Sequence, residues 1–154
     1  MRIIKLAIIS FILIFLLITL MSLLIPSQVR ISRAINMGQH QKGVLHRISD
    51  TSRWAEWHPA YIHLEKSGTP NNMRRDLKSF TGDELIYDIV QASRRPVMNG
   101  WKLYSYPAQD SITLQWYIDI RLSWYPWEKF SSLFFESAYG RMMEEGLTNL
   151  NSLE

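Results

Sequence analysis

The stretch "RWAEWHP", residues 53 to 59, sets an arginine, a glutamate, a histidine and two tryptophans within seven positions, the composition of a small acid–base site. Chemistry of that kind needs its ionisable groups to converge, and helical spacing works against it here. Trp54 and Trp57 lie three apart, share a helix face and bury a large aromatic area, while Glu56 points elsewhere. His58 precedes Pro59, and the residue before a proline is pushed toward extended backbone, so the histidine is expected to leave the helix. Large aromatics at this spacing read first as core. The functional version of the same reading makes the two tryptophans the lid of a ligand cavity. All four histidines fall between positions 40 and 63, but the steps from His40 to His46 and from His58 to His63 are not those that put two metal ligands on one helix face, and no HExxH occurs. No G-x-S-x-G nucleophile turn and no cysteine is present. No catalytic residue, metal or other cofactor is therefore assigned.

Arg33 is the remaining chemical anomaly. It shares a strand face with Val29, Ile31, Ile35 and Met37 in "SQVRISRAINM", the alternation of a half-buried strand. A guanidinium there must pair or reach water, because an unpaired buried charge is very costly. It either snorkels outward at the sheet edge or anchors an anionic head group from a cavity wall.

The elements that must position these residues follow from periodicity. A helix is expected from about Gln39 to Ser49 on the apolar spacing of Val44, Leu45 and Ile48, and Asp50 is placed to cap a second short helix, "TSRWAEW". "EKSGTPNN" reads as a loop from its Gly, Pro and Asn content. "RRDLKSF" and "ELIYDIV" flank "TGD" as a hairpin, and "NG" at 99 and 100 signals a further turn before "GWKLYSY". In "DSITLQWYIDIRL" the residues Ile112, Leu114, Trp116, Ile118, Ile120 and Leu122 face a core, which leaves Asp119 and Arg121 on a face expected to be solvated. After "SWYPW" a helical stripe runs through Phe130, Leu133, Phe134, Met143, Leu147 and Leu150, with Gly140 expected to break or kink it. One strand, two short helices, a meander and a terminal helix fold most simply as an α+β domain, an antiparallel sheet with helices on one face.

The N-terminus carries a separate signal. Leu6 to Ile25 hold no charged residue, a length of about 30 Å as a helix, the thickness of the hydrocarbon layer. The run is too long for the apolar core of a cleavable signal peptide, so residues 1–25 are expected to be a single-pass transmembrane anchor and 26–154 one domain. The tail before the span is very short and basic, which favours a cytoplasmic N-terminus and an extracytoplasmic domain. Without Arg2 and Lys5 the acidic and basic side chains nearly balance, and no basic patch points to nucleic acid.

"PSQVRISRAIN", "VLHRISDTSRWAEW", "NGWKLY", "TLQWYID", "WYPWEKFSSLF" and "GLTNL", in that order, resemble the START-like helix-grip superfamily, the polyketide cyclase and lipid-transfer group, in a membrane-anchored bacterial single-domain form. The resemblance implies a curved sheet wrapped around the long C-terminal helix, with an apolar cavity for a lipid-like or polycyclic ligand. It carries no universal catalytic residue. The implied cavity lies beneath Trp54 and Trp57, is bounded by Trp116, Ile118, Met143 and Leu147, and has Arg33 as its polar contact. "MGQHQKG" stands where relatives have a proline-rich turn, and strands between Pro59 and Phe80 are poorly marked, which would shrink such a cavity. The expected function is a membrane-tethered module binding a hydrophobic or amphipathic small molecule. A cyclase- or hydrolase-type enzyme using the same cavity and a ligand-free interaction domain are the alternatives.

Overall fold

The strand with the clearest alternation organises the sheet. In the computed structural model, which describes residues 2–38, 43–68, 72–91, 95–106 and 111–153, it is the last of five strands: β1 (Gln28–Gly38), β2 (Met73–Phe80), β3 (Glu84–Gln91), β4 (Val97–Ser105) and β5 (Ser111–Arg121). They form one sheet in the order β1-β5-β4-β3-β2, antiparallel at every pairing. β5 lies between the first strand and the meander, so its core face meets side chains from both.

The helices are α1 (Arg2–Ser22), α2 (Val44–Ser49), α3 (Trp54–Trp57), α4 (Pro59–Ser67), α5 (Pro126–Ser131) and α6 (Phe135–Ser152), with 3₁₀ turns at Thr51–Arg53 and Ser132–Phe134. The fold is α+β, as the sequence implied. On α6 the buried residues Gly140, Met143, Gly146, Leu147 and Leu150 form one stripe. That stripe and the core face of the sheet enclose Trp54, Trp57, Trp101 and Trp116, each fully buried. Trp101 and Trp116 are register partners on β4 and β5 and stack with ring centroids 5.3 Å apart. Trp57 meets both edge-on, at 6.3 and 5.9 Å, arrangements that add to plain area burial.

Several local expectations are corrected. "NG" is not a turn: Asn99 and Gly100 lie inside β4. Gly100 is opposite Tyr117 in register, and a Cβ there would fall 2.1 Å from Tyr117 Cζ, so the glycine is required by a ring lying over it. "EKS" is the last turn of α4, which stops at Gly68 in the left-handed conformation, φ 63°; positions 69–71 of that presumed loop, like 39–42 of the expected first helix, lie outside the described residues. Asp119 is buried rather than solvated, because Arg30, its register partner on β1, folds over it. Arg30 Nε and Nη2 donate to the two carboxylate oxygens, both at 2.6 Å, and the guanidinium carbon sits 4.5 Å from the Tyr117 ring centroid. Finally, α6 passes through Gly140 without a break.

Candidate functional site

Asp50, just before the "RWAEWHP" segment, accepts from Ser52 N at 3.2 Å, which caps the 3₁₀ turn leading into α3. Arg53 and Glu56 then pair with each other at 2.8 Å on the outside of the domain. The tryptophans go inward: Trp54 Nε1 donates to the Ile48 carbonyl at 2.7 Å, and the Trp57 carbonyl accepts from Asn149 on α6 at 3.1 Å. The charged groups that made the motif look chemical therefore occupy the wrong side of the helix for joint work with His58.

His58 leaves the helix as its place before a proline requires, with φ −82° and ψ 115°, but it leaves inward. Its carbonyl accepts from Tyr61 N and Ile62 N at 2.9 and 3.0 Å, opening α4, and its ring is buried. It stacks on Trp54 at 5.5 Å and meets Tyr61 and Trp116 edge-on at 4.9 and 5.1 Å. Among the described residues Nδ1 has no hydrogen-bond partner, as is also true of Trp57 Nε1 and Trp101 Nε1 in the packed interior. Burial drives the imidazole pKa down to about 3, so the ring is neutral at ordinary pH, with one donor and one acceptor nitrogen. Burial raises the Tyr61 hydroxyl, opposed by the Arg75 guanidinium 5.3 Å from its ring centroid.

These two side chains line a cleft of about 250 Å³. One wall comes from α4 (Ala60, Tyr61) and α6 (Tyr139, Met142), the other from Met73, Ile89, Val97 and Ile118 of the sheet, with Asn99 in the floor and Gln91 and Arg95 completing the lining. Asn99 is committed inward, since its Oδ1 accepts from Trp116 Nε1 at 3.2 Å. Arg95 is held by Ser123 and by Glu128 at 3.5 Å. The result is a mostly apolar slot with His58 and Tyr61 in its lining. The volume falls just below the roughly 300–1,000 Å³ of sites for drug-sized ligands. It admits a small apolar body or one end of a longer amphiphile.

Of the residues expected at a cavity from sequence, Ile118 lines this cleft. Trp54 and Trp116 stand behind it as the surface on which the His58 ring rests. Trp57, Met143 and Leu147 are fully buried in the packed interior between helix and sheet. Arg33 reaches the other side of α6: it pairs with Glu136 at 2.7 Å and Glu144 at 2.6 Å and crosses the helix at Gly140, where a Cβ would lie 2.4 Å from its Nη2. Its head group is spent on two carboxylates. The sequence does not single out Tyr61, Tyr139 and Met142, because residues 59–64 carry no clear period and because a helix stripe marks the buried face, not the flank that borders a cleft.

Comparison with solved structures agrees with this architecture. The chain is similar to the XoxI protein of Bacillus cereus, with a TM-score of 0.53, 13% identity, and 80% of this chain and 93% of that chain covered. It is also similar to an uncharacterised protein of Bacillus thuringiensis, with a TM-score of 0.52, 14% identity, and coverage of 80% and 96%. The di-domain ARO/CYC protein StfQ of the steffimycin biosynthetic pathway matches with a TM-score of 0.57 and 8% identity over 81% of this chain and 50% of that chain. No protein-family model and no curated protein matches the sequence. At such identities the likeness is one of fold, and the fold is of the helix-grip kind: a five-stranded antiparallel sheet with a long C-terminal helix across it.

Proposed function

We propose that this chain is a membrane-tethered binding module that holds a small hydrophobic or amphipathic molecule in the cleft between α4, α6 and the sheet. The observation that carries the reading is a mostly apolar cleft whose lining includes His58, a buried ring with no partner for Nδ1 among the described residues. Buried polar groups in native proteins are nearly always satisfied, so an unpaired nitrogen at the wall of a cleft supports a place for an external partner. Ile118 contacts the ligand directly, Trp54 and Trp116 hold the histidine ring in place, and Trp57, Met143 and Leu147 keep the helix seated on the sheet. The neutral imidazole hydrogen-bonds one polar group of the ligand. α1 is long and apolar enough to cross a membrane and none of the most apolar window within it is buried, which supports the tether; in this reading the N-terminus is cytoplasmic and the domain lies on the other side.

Catalysis is the weaker reading. A general base works best with a pKa near the operating pH, and a histidine held at about 3 is far from it. Among the described residues the cleft lining offers tyrosine hydroxyls but no serine or threonine.

The test is titration of the full-length chain, reconstituted in nanodiscs, with fatty acids and small monocyclic amphiphiles, read by tryptophan fluorescence. Ala60→Leu, which adds bulk at the cleft wall, should weaken binding at least tenfold, and Tyr61→Phe should weaken it less, as loss of one hydrogen bond does. Binding undiminished by Ala60→Leu rejects the cleft as the site, and no binding across the panel leaves an interaction domain with a filled core. A reporter fused after Glu154 and active only in the cytoplasm would reverse the assigned sidedness.

A further inference from the structure

The corner between β5 and α6 exposes aromatic surface that the fold does not use. Trp124 is 63% exposed, Trp127 65%, Leu133 64% and Phe134 72%. Three of the aromatics form a continuous run: Trp124 meets Tyr125 at 4.7 Å, and Tyr125 stacks on Trp127 at 5.0 Å with only 11° between the planes. Exposed apolar residues scattered singly need no explanation, but a contiguous set points to a partner.

Two observations say which partner. The first is position. α1 and α5 are in contact, and Lys129, buried on α5, donates to the Ile25 carbonyl at 2.6 Å and to Ser27 Oγ at 2.9 Å. An ammonium on a carbonyl just past the end of a helix satisfies an orphan acceptor and opposes the negative end of the helix dipole. The aromatic corner is thus fastened to the C-terminal end of α1, where Leu23 and Leu24 are exposed as well. The second is charge. The only charged residues between 124 and 134 are Glu128 and Lys129. Glu128 pairs with Arg95 and Lys129 is consumed by α1, so the exposed side chains of the corner carry no free charge.

We infer that Trp124, Tyr125, Trp127, Leu133 and Phe134 form a bilayer-contacting surface that seats the domain directly on the membrane, at the level of the lipid headgroups, beside the end of α1. This rests on the reading of α1 as a membrane span. Tryptophan and tyrosine favour that zone because their rings are apolar and their N–H and O–H groups reach headgroup oxygens and water, while Leu133 and Phe134 reach the upper acyl chains.

The experiment uses the full-length chain in phosphatidylcholine vesicles whose acyl chains carry bromine either just below the headgroup or near the bilayer centre, against unbrominated vesicles. Two of the six tryptophans are in the corner and the other four are fully buried, so quenching by shallow bromine should remove up to about a third of the emission, and deep bromine much less. In the Trp124→Phe/Trp127→Phe variant, which keeps apolar rings, that quenching should disappear. Carbonate-resistant sedimentation of the same vesicles reports on α1 separately. An integral chain whose emission ignores shallow bromine, or is quenched equally in the variant, overturns the inference and leaves the span standing. An unquenched corner together with concentration-dependent cross-linking between copies assigns the surface to self-association instead. Release by carbonate removes the span and the inference with it.

Discussion

Acid should unfold this protein through His58. In the folded state the imidazole is held at about 3, against 6.5 for an ordinary histidine, by burial. Between those values the unfolded chain binds a proton that the folded chain does not, so stability falls as pH drops below 6.5 and goes on falling until the folded value is reached. At pH 5 the gap from 6.5 is about 1.5 units, worth about 2 kcal/mol at 1.36 kcal/mol per unit. The figure is insensitive to the folded value provided that this lies below about 4. For a domain of this size it lowers the midpoint by roughly 5–10 °C. Carboxylates also begin to titrate near pH 5, so the comparison is with His58→Phe, which keeps an aromatic ring against Trp54, Tyr61 and Trp116 and removes the proton site. Thermal unfolding of both full-length proteins in the same micelles, followed by near-ultraviolet circular dichroism of the tryptophan cluster at pH 7.5 and pH 5, gives the difference. The variant should be about as stable as the wild type at the higher pH and gain about 2 kcal/mol over it at the lower. Parallel pH profiles would show that the folded histidine takes up protons freely, and the dry, unpartnered ring described above would be refuted.

The other expectations concern packing and charge. Trp116→Ala removes the ring against which Trp57, Trp101 and His58 pack and should cost about 3–5 kcal/mol in denaturant unfolding; a loss below about 1 kcal/mol would put that face of β5 in water. Gly100→Ala should cost about 1–3 kcal/mol by driving a Cβ into the Tyr117 ring, with most of the loss recovered in Gly100→Ala/Tyr117→Ser. Arg30→Met leaves Asp119, 3% exposed, without its partner and should cost about 1–3 kcal/mol, which chemical denaturation of the two proteins will show. Lys129→Met cuts the link between α5 and the end of α1, so limited proteolysis should newly cleave near Ile25–Ser27 while the core stays resistant.

What the sequence disclosed and what it hid divide along a physical line. β1 and β5 were legible because one-sided burial imposes alternation, and the α6 stripe because helix packing imposes its own period. Asn99 and Gly100 were misread because the same dipeptide serves a tight turn or a ring lying over a strand, and only register decides between them. Asp119 was misread for a related reason: alternation tells which face a side chain takes, not whether an arginine from the neighbouring strand covers it. The cleft was hardest to see. That His58 leaves its helix follows from the proline after it, but that it enters a nest of rings depends on Trp101 and Trp116, more than forty positions away in the chain, meeting Trp54 and Trp57 in three dimensions.

The crossing of Arg33 over Gly140 makes the size of one substitution's effect depend on another. In the present background, Gly140→Ala sets a methyl where the end of the guanidinium lies, so the arginine must swing aside and loosen its exposed pairs with Glu136 and Glu144, worth about 1 kcal/mol at most. Once Arg33 is alanine the space is open, and the same change becomes an ordinary glycine-to-alanine replacement inside a helix, favourable by about 1 kcal/mol. Neither step alone reports the value of the pair. Positions 33, 136, 140 and 144 should therefore drift together among descendants of this sequence, with a small residue at 140 favoured more where an arginine stands at 33 than where it does not.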